Sequence, residues 1–440
     1  MNVHSVMLVA GETSGDLLAA ELVGALRPHF ADQPFAPRFF GAGGSRMEAA
    51  GVDLAEEMTR HAVVGLGDVL RSLARYRRIF QRLLDLACAR QPELIVLVDF
   101  TGFNRRFAQA LRRRLNRAAG AFGRWRPRIV QYVSPQVWAS RPGRAYAMAK
   151  DLDLLLCLFP FEQEWYARRL PDFPVQCVGH PICDRYPGRW QQTLTDAAPP
   201  ADAVTPAEQP PLLLLLPGSR TGELKRHLGV MLDAAKIVAH TTAIRARIVL
   251  PERRLEELAI RLAVEQSGAR QPVSREAEFP TLTVEVAAGL DLEIEIRHGA
   301  LADSLAEAAV AIASTGTVTL ECALFGVPTV AIYKTSWGTY QIGRRVVTVR
   351  HMAMPNLLAG REIFPEFIQD AAIPKRLAPA TLEFLGNPAR RRAVRTALRN
   401  VVRGLGGPGA SQRAAAHLAA LMHRADRVPE SGPVTPHVAR

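Results

Sequence analysis

Long apolar runs are missing from this chain of 440 residues. Runs such as Leu212–Leu216 fall far short of the roughly 20 residues that a membrane-spanning helix needs. The opening residues, MNVHSVMLVAGETSGD, have no basic n-region and pass straight into strand-like sequence, so no secretory signal is expected. Cysteine is scarce. The five residues Cys88, Cys157, Cys177, Cys183 and Cys322 are scattered without metal-ligand spacing, and they read as buried thiols of a reducing compartment. Acidic residues are in the minority, 42 against 55 lysines and arginines, which leaves a net charge of +13. Such a balance favours polyanionic partners: nucleic acid, an anionic membrane surface or phosphorylated substrates. The arginine-rich stretches Arg71–Arg82, Arg112–Arg117 and Arg390–Arg403 lack helix-turn-helix, zinc-finger or aromatic–basic RNA patterning. Solvated helix faces explain them most simply, and no specific nucleic acid is expected. Neither G-x-G-x-x-G nor a Walker A loop occurs at the first glycine-rich turn, where no lysine follows Gly15, so a dinucleotide or ATP site is not supported.

What is present is an alternation of short apolar runs with helix-like segments. Strands are expected at Ser5–Ala10, Arg38–Gly41, Leu94–Val98, Ile129–Val133, Leu154–Leu158 and Val175–Gly179. Helices are expected between them, as at Ser14–Leu26, Leu70–Ala89 and Asn104–Arg117. A second series runs through Leu212–Leu216, Ile248–Pro251, Leu292–Ile296, Ala308–Ala313 and Thr329–Tyr333. Alternation of this kind implies doubly wound parallel sheets. Gln191–Pro211, rich in Pro, Ala and Asp, reads as a linker, and Ser267–Ala287 as a surface insertion. The expected organisation is a first domain over 1–190, a linker over 191–211, a second domain over 212–385, helices over 386–424 and a disordered tail over 425–440. Two such halves place a cleft between them, with ligands at the carboxyl ends of the strands.

The strand ends carry the candidate chemistry. After Ala308–Ala313 come Ser314, Thr315, Gly316 and Thr317 and then a helix containing Glu321. A helix N-terminus offers unpaired N–H groups to a phosphate, and Glu321 can accept from ribose hydroxyls. An unliganded strand–turn–helix is the competing reading. Leu216-Pro217-Gly218-Ser219-Arg220 follows another strand; Gly218 and Ser219 can offer N–H groups and Arg220 can grip phosphate oxygens bidentately, with Glu223 in reach. Asn356, in Met354–Arg361, can meet sugar hydroxyls, a nucleobase edge or backbone.

In the first half, Gly11-Glu12-Thr13-Ser14-Gly15-Asp16 follows a strand, and Gly11 and Gly15 permit close backbone approach. Alternatively this is a simple capped turn, with Thr13 or Ser14 as N-cap. A second glycine-rich turn, Gly41–Met47, carries Arg46. Asp99 ends an apolar strand and can act as a general base on an acceptor hydroxyl, or can cap the next helix. Ser134, in Ser134–Trp138, and His180, in Gly179–Pro181, also follow strands; a lone histidine there is more often structural.

In this order the motifs resemble the lipid-A-disaccharide synthase family. The matching pieces are AGETSGD (10–16), GAGGSRMEAAG (41–51), VGLGDVL (64–70), the strand ending at Asp99 with Phe103-Asn104, YVSPQVW (132–138), LFPFE (158–162), VGHP (178–181), LLPGSR (215–220), STGTVTLE (314–321) and MPNLLAGRE (354–362). They span roughly residues 5–370. The resemblance implies an α/β, GT-B glycosyltransferase of two Rossmann-like domains facing a cleft, with C-terminal helices. It implies condensation of UDP-2,3-diacylglucosamine with 2,3-diacylglucosamine 1-phosphate to a β-1,6-linked disaccharide 1-phosphate and UDP. The place of reaction is the cytoplasmic face of the inner membrane, with the enzyme peripheral there. No metal and no other cofactor is implied, and a homodimer stays open. Asp99 becomes the expected catalytic base. Ser219, Arg220, Ser314, Thr315, Gly316, Thr317, Glu321 and Asn356 become donor residues, and Glu12, Ser14, Gly15, Arg46, Ser134 and His180 face the acceptor.

Two departures stand out. Gly102 occupies the slot of a second family acid, and Trp138-Ala139-Ser140 replaces a Trp-Ala-Trp continuation. The stretch Val63–Phe80 interleaves apolar residues with arginines and can lie in a lipid interface, or can be an ordinary core-facing helix. Another sugar-nucleotide enzyme of this fold, such as a UDP-N-acetylglucosamine epimerase, and a non-catalytic sugar-nucleotide-binding protein remain as alternatives.

Overall fold

The structure is a computed structural model that describes residues 4–32, 36–58, 66–117, 125–195, 209–270, 279–347 and 349–426. Residues 196–208 of the expected linker, 271–278 of the expected insertion, 427–440 of the expected tail, and Val63 and Val64 of the expected lipid-facing stretch lie outside the described residues, as do the side chains of 66–74.

The chain divides into two compact units. One comprises Met1–Trp138, Pro142–Asp184 and Pro408–Arg440, the other Ala139–Arg141 and Arg185–Gly407. The boundary therefore lies at 184/185 rather than at 190. The last helix, Ala410–Asp426, returns to the first unit and packs on the helix Thr13–Leu26.

The first unit holds a seven-stranded sheet of β1 (Ser5–Ala10), β2 (Arg38–Gly43), β3 (Asp53–Glu57), β4 (Leu94–Val98), β5 (Arg128–Tyr132), β6 (Leu154–Cys157) and β7 (Val175–Cys177). Its order is β3-β2-β1-β4-β5-β6-β7 and every pairing is parallel. β4, LIVLV, is buried at every position, as a strand covered by helices on both faces requires. The flanking helices contribute single apolar stripes. In Thr101–Arg117 the residues Asn104, Phe107, Ala108 and Leu111 are buried, following i, i+3, i+4, i+7. The arginines flanking this stripe are more than solvated. Arg112 bonds Asp153 at 2.6 Å and the Asp151 carbonyl at 3.1 Å, and Arg114 pairs with Asp85 at 2.7 Å. Within the Val63–Phe80 stretch, Ile79 is buried in the core while Tyr76 and Phe80 pack against it. Its described end is thus core-facing.

The second unit holds β8 (Leu212–Leu216), β9 (Arg245–Leu250), β10 (Thr281–Ala287), β11 (Leu290–His298), β12 (Ala308–Ser314), β13 (Thr329–Tyr333) and β14 (Glu366–Ile368). Their order is β10-β11-β9-β8-β12-β13-β14, parallel except for the β10–β11 pair. The end of the expected insertion is therefore an edge hairpin. Its alternating burial, with Leu282, Val284, Leu292, Ile294 and Ile296 inward, marks an antiparallel pair with one wet face. Helices Pro388–Arg403 and Ala410–Asp426 lie over the region 386–424 expected to be helical, and Pro374–Gly386 precedes it. Here too arginines reach carbonyls: Arg391 meets those of Phe384 and Leu385 at 2.8 Å each, and buried Arg395 meets that of Gly326 at 3.3 Å.

Asp184 fixes the return of the chain to the first unit. Its carboxylate accepts from the backbone N–H of Gly409, of Ala410 at 3.1 Å and of Ser411 at 2.9 Å, the unpaired donors at the start of the last helix. Asp184→Ala is expected to lower unfolding free energy by about 1–2 kcal/mol in chemical denaturation, the scale of a lost helix cap.

Candidate functional site

A parallel sheet opens a crevice where its strand order reverses, because the connections of the two adjacent strands leave to opposite faces. In the first sheet that point lies between β1 and β4, and in the second between β8 and β12. The turns singled out in the sequence sit at these two points: Gly11–Asp16 after β1, Asp99 after β4, Pro217–Arg220 after β8 and Thr315–Thr317 after β12.

At the first point, Ser14 Oγ donates to Asp99 Oδ2 at 3.1 Å. The helix after β1 starts at Thr13 with Glu12 in the N-cap position and no side-chain cap bond. Neither Thr13 nor Ser14 is the cap, and the Ser14 hydroxyl is engaged by Asp99. Gly11 admits the Phe100 ring, which would overlap a Cβ there, and a Cβ at Gly15 would reach 3.5 Å from that of Asp99. Asp99 and Phe100 have φ of 50° and 31°, left-handed values that cost roughly 1–3 kcal/mol each outside glycine. Two buried amides hold this turn. Asn104 Nδ2 donates to the Val98 carbonyl at 3.1 Å and the Asp99 carbonyl at 3.0 Å, and Gln131 Nε2 donates to the Asp99 carbonyl at 3.0 Å. Asp99 N–H in turn donates to the Tyr132 carbonyl at 2.8 Å.

Asp16 joins the two glycine-rich turns. Its buried carboxylate accepts from the N–H of Gly44 at 2.8 Å, Arg46 at 3.1 Å and Met47 at 3.1 Å. That caps the short helix Ser45–Ala49 and leaves the Arg46 side chain exposed.

Ser134 and His180 belong to a tighter cluster. Glu162, only 1% exposed, accepts from the N–H of Leu158 and Phe159 at 3.2 Å each and from Trp138 Nε1 at 3.1 Å, with Ser134 also bonding to it. Burial nevertheless pushes its carboxyl up to about 7, against the pull of those donors. His180 is buried, its Nδ1 accepts from the Ile182 N–H at 3.1 Å, and its ring lies 5.6 Å from that of Phe159. These contacts give His180 a structural task.

In the second unit, Glu223 changes the expected picture. Its Oε2 accepts from the N–H of Ser219 at 3.0 Å and of Arg220 at 3.3 Å, and its Oε1 lies 3.7 Å from the Arg220 guanidinium. The Ser219 N–H assigned to phosphate is thus occupied by a carboxylate, which fits only because Gly218, at φ +116°, has no Cβ in its way. The cation this turn presents is the exposed Arg220 guanidinium. One helical turn on, fully buried His227 donates from Nδ1 to the Pro217 carbonyl at 2.8 Å, while its Nε2 accepts from the Lys334 N–H at 3.0 Å. The Lys334 contact requires a proton-free Nε2, and burial lowers the pKa to match. One side chain thereby ties the turn after β8 to the end of β13.

On the neighbouring strand Ser314 is buried, whereas Gly316 and Thr317 are exposed at the start of the helix Thr317–Leu324. Thr319 Oγ donates to the Gly316 carbonyl at 2.7 Å and accepts from the Met354 N–H at 3.3 Å. Glu321 is partly buried; burial pushes its carboxyl up to about 7, with Arg185 pulling the other way. Asn356 takes the backbone role among its three options. Its Oδ1 accepts from the N–H of Ile363 and Phe364 at 2.7 and 2.8 Å, and its Nδ2 donates to the Phe364 carbonyl and to Glu366 at 2.7 Å each. Fully buried and saturated, it builds its loop and is withdrawn as a donor-binding side chain.

Sequence reasoning named Glu162 only as part of a turn after a strand, without a role, and passed over Gln131 and His227. Gln131 and His227 left a signal, a polar residue in an apolar strand and a histidine one turn after Glu223 on the buried helix side. Among the described residues no cluster of His, Cys, Asp or Glu could hold a metal ion, and Cys88, Cys157, Cys183 and Cys322 are buried while Cys177 is partly so.

The family model described as lipid-A-disaccharide synthetase matches residues 6–420. A lipid-A-disaccharide synthase of Syntrophus aciditrophicus is 35% identical over 428 residues, covering 97% of this chain and all of the relative. One from Azotobacter vinelandii is 36% identical over 390 residues, covering 86% and 89%. Among solved structures, a putative UDP-N-acetylglucosamine 2-epimerase of Listeria monocytogenes aligns with a TM-score of 0.60 at 13% identity, over 99% of this chain and all of that one. A Neisseria meningitidis UDP-GlcNAc 2-epimerase bound to UDP-GlcNAc gives 0.54 at 9%, over 95% and 99%. At such identities the structural likeness shows the fold alone, two Rossmann-like units of the GT-B class.

An ionised Glu321 is penalised by burial, so its cost is present above pH 7 and vanishes as pH falls below its ordinary value of 4.5. Glu321→Gln is therefore expected to be more stable than the parent at pH 8, the gap closing as pH drops through 7 to 4.5, in denaturation midpoints across pH.

Proposed function

The chain belongs to the lipid-A-disaccharide synthase family, and from that premise we propose that it joins two diacylglucosamine lipids through Asp99. The family assigns a glycosyltransferase of lipid A disaccharide synthesis, and the epimerase alternative is not favoured. The donor is UDP-2,3-diacylglucosamine and the acceptor 2,3-diacylglucosamine 1-phosphate. The products are the β-1,6-linked disaccharide 1-phosphate and UDP.

The observation that carries the reading is the Ser14–Asp99 hydrogen bond at the reversal point of the first sheet. Asp99 follows β4 at that point, and its carboxylate is oriented by a neighbouring hydroxyl on a turn held by Asn104 and Gln131. In the reaction the acceptor's 6-hydroxyl oxygen attacks the donor's anomeric carbon from the face opposite the diphosphate. Its proton passes to Asp99, the bond from carbon to the diphosphate oxygen breaks, and UDP leaves with both electrons of that bond. Configuration at the anomeric carbon inverts. Arg220 and the N–H groups at the start of the helix Thr317–Leu324 offset the charge growing on the diphosphate. Glu321 accepts from the ribose hydroxyls, which a partly buried carboxylate can do in competition with water. Ser14, Gly15, Glu12 and Arg46 form the rim where the acceptor enters, Arg46 offering a cation to its 1-phosphate.

No helix among the described residues is long and apolar enough to cross a membrane. Substrates that keep acyl chains in a bilayer place the enzyme peripherally, at the cytoplasmic face of the inner membrane.

Asp99→Ala is expected to cut kcat by about 10²–10⁴-fold, the range for a lost general base, with UDP affinity kept. Product analysis by mass spectrometry with both lipids is the measurement, and near-normal turnover would remove Asp99 from the mechanism. Arg220→Ala is expected to weaken UDP binding roughly 10–100-fold by calorimetry, the scale of one charged hydrogen-bonded contact.

A further inference from the structure

Between Cys322 and Arg361 the chain contains no aspartate or glutamate, yet it carries Lys334, Arg344, Arg345, Arg350 and Arg361. In the middle of this acid-free stretch lies Trp337, 76% exposed. A fully hydrated indole is costly, and tryptophan resolves the conflict between its apolar ring and its N–H best at a membrane interface.

Local structure fixes where this side chain is displayed. Trp337 opens the helix Trp337–Val346, and Ser336 caps that helix by accepting from the Thr339 N–H at 3.3 Å. The residues before it are tied to the sheet. Lys334 N–H donates to His227, and the Thr335 N–H donates to Gln369 Oε1 at 2.6 Å. The helix thus leaves the carboxyl end of β13, the parallel neighbour of β12, whose own carboxyl end carries the Thr315–Thr317 turn. Arg345, Val347 and Arg350 are exposed alongside, Val347 at 37%.

We infer that Trp337, Arg345, Val347 and Arg350 form a contact surface of the second unit for an anionic lipid bilayer, on the sheet edge that carries the donor turns. Charge selects the occupant: Arg345 and Arg350 are exposed in a stretch of sequence without an acid, and each gains about fivefold in partitioning from phosphate headgroups. The indole selects lipid over a purely ionic partner. The inference rests on the lipid-substrate reading and deepens it. A diacyl donor need not leave the bilayer if the edge holding its diphosphate lies against the headgroups.

Co-sedimentation of the full chain with vesicles tests it. The parent is expected to bind vesicles of phosphatidylcholine with phosphatidylglycerol and to bind pure phosphatidylcholine poorly. W337S combined with R345Q should lower the partition coefficient for the anionic vesicles at least tenfold while leaving the thermal melt unchanged. Quenching by brominated lipid should be smaller in W337F than in the parent. If the parent binds and these variants bind and quench like it, the surface is elsewhere and the peripheral reading survives. Absence of parent binding to any vesicle overturns both. Retention on duplex DNA with the same loss in W337S/R345Q would make this a general polyanion surface and overturn the lipid assignment.

Discussion

At the carboxyl ends of the strands in these parallel sheets the chain must turn sharply, and many backbone groups in those turns lie beyond the ladder of the sheet. Buried or half-buried, they must be paired by side chains. This constraint organises both units. In the first, the Asp16 carboxylate takes three N–H groups of the Gly44–Met47 turn, and the amides of Asn104 and Gln131 take the Asp99 carbonyl. In the second, Glu223 takes the N–H groups of Ser219 and Arg220, and His227 spans from Pro217 to Lys334. The same side chains that satisfy the backbone leave Asp99 and Arg220 displayed at the strand ends. Asp99 and Arg220 stand on turns that cannot relax without breaking these hydrogen bonds.

Burial acts on the acids of the two units in the same direction. Glu162 and Glu321 are both pushed up to about 7, although Glu162 has several donors and Glu321 only the field of Arg185. Desolvation wins in each case because a carboxylate loses more hydration than a few neutral N–H groups return. Glu162 thereby couples the Ser134–Trp138 turn to the Leu158–Phe159 turn. The arginine excess splits into structural and exposed parts. Arg112, Arg391 and Arg395 satisfy carbonyls at helix and loop ends, whereas Arg345 and Arg350 are left in an acid-free exposed stretch.

Fold and family were legible because they rest on local pattern. Buried parallel strands must be continuously apolar, so Ser5–Ala10, Leu94–Val98, Leu212–Leu216 and Thr329–Tyr333 emerge with the observed bounds. The edge strands did not. β10 alternates because one face is wet, and the short β3 and β14 bury too little to form an apolar run. Asn356 shows the limit for single residues. Its amide fits sugar or backbone equally well on paper, and only the closure of its loop brings the Ile363 and Phe364 N–H groups to it.

By itself the sequence determined the two doubly wound units, the identity of the turns at their strand ends and the family, since each follows from residue type at short range. Tertiary structure alone decided how those turns are used. It set Ser14 on Asp99 across 85 positions, gave the Ser219 N–H to Glu223 rather than to a ligand, and carried the last helix back to the first unit through Asp184. Contacts of that reach depend on which strands become neighbours, and strand order is a property of the packed sheet that no local pattern encodes.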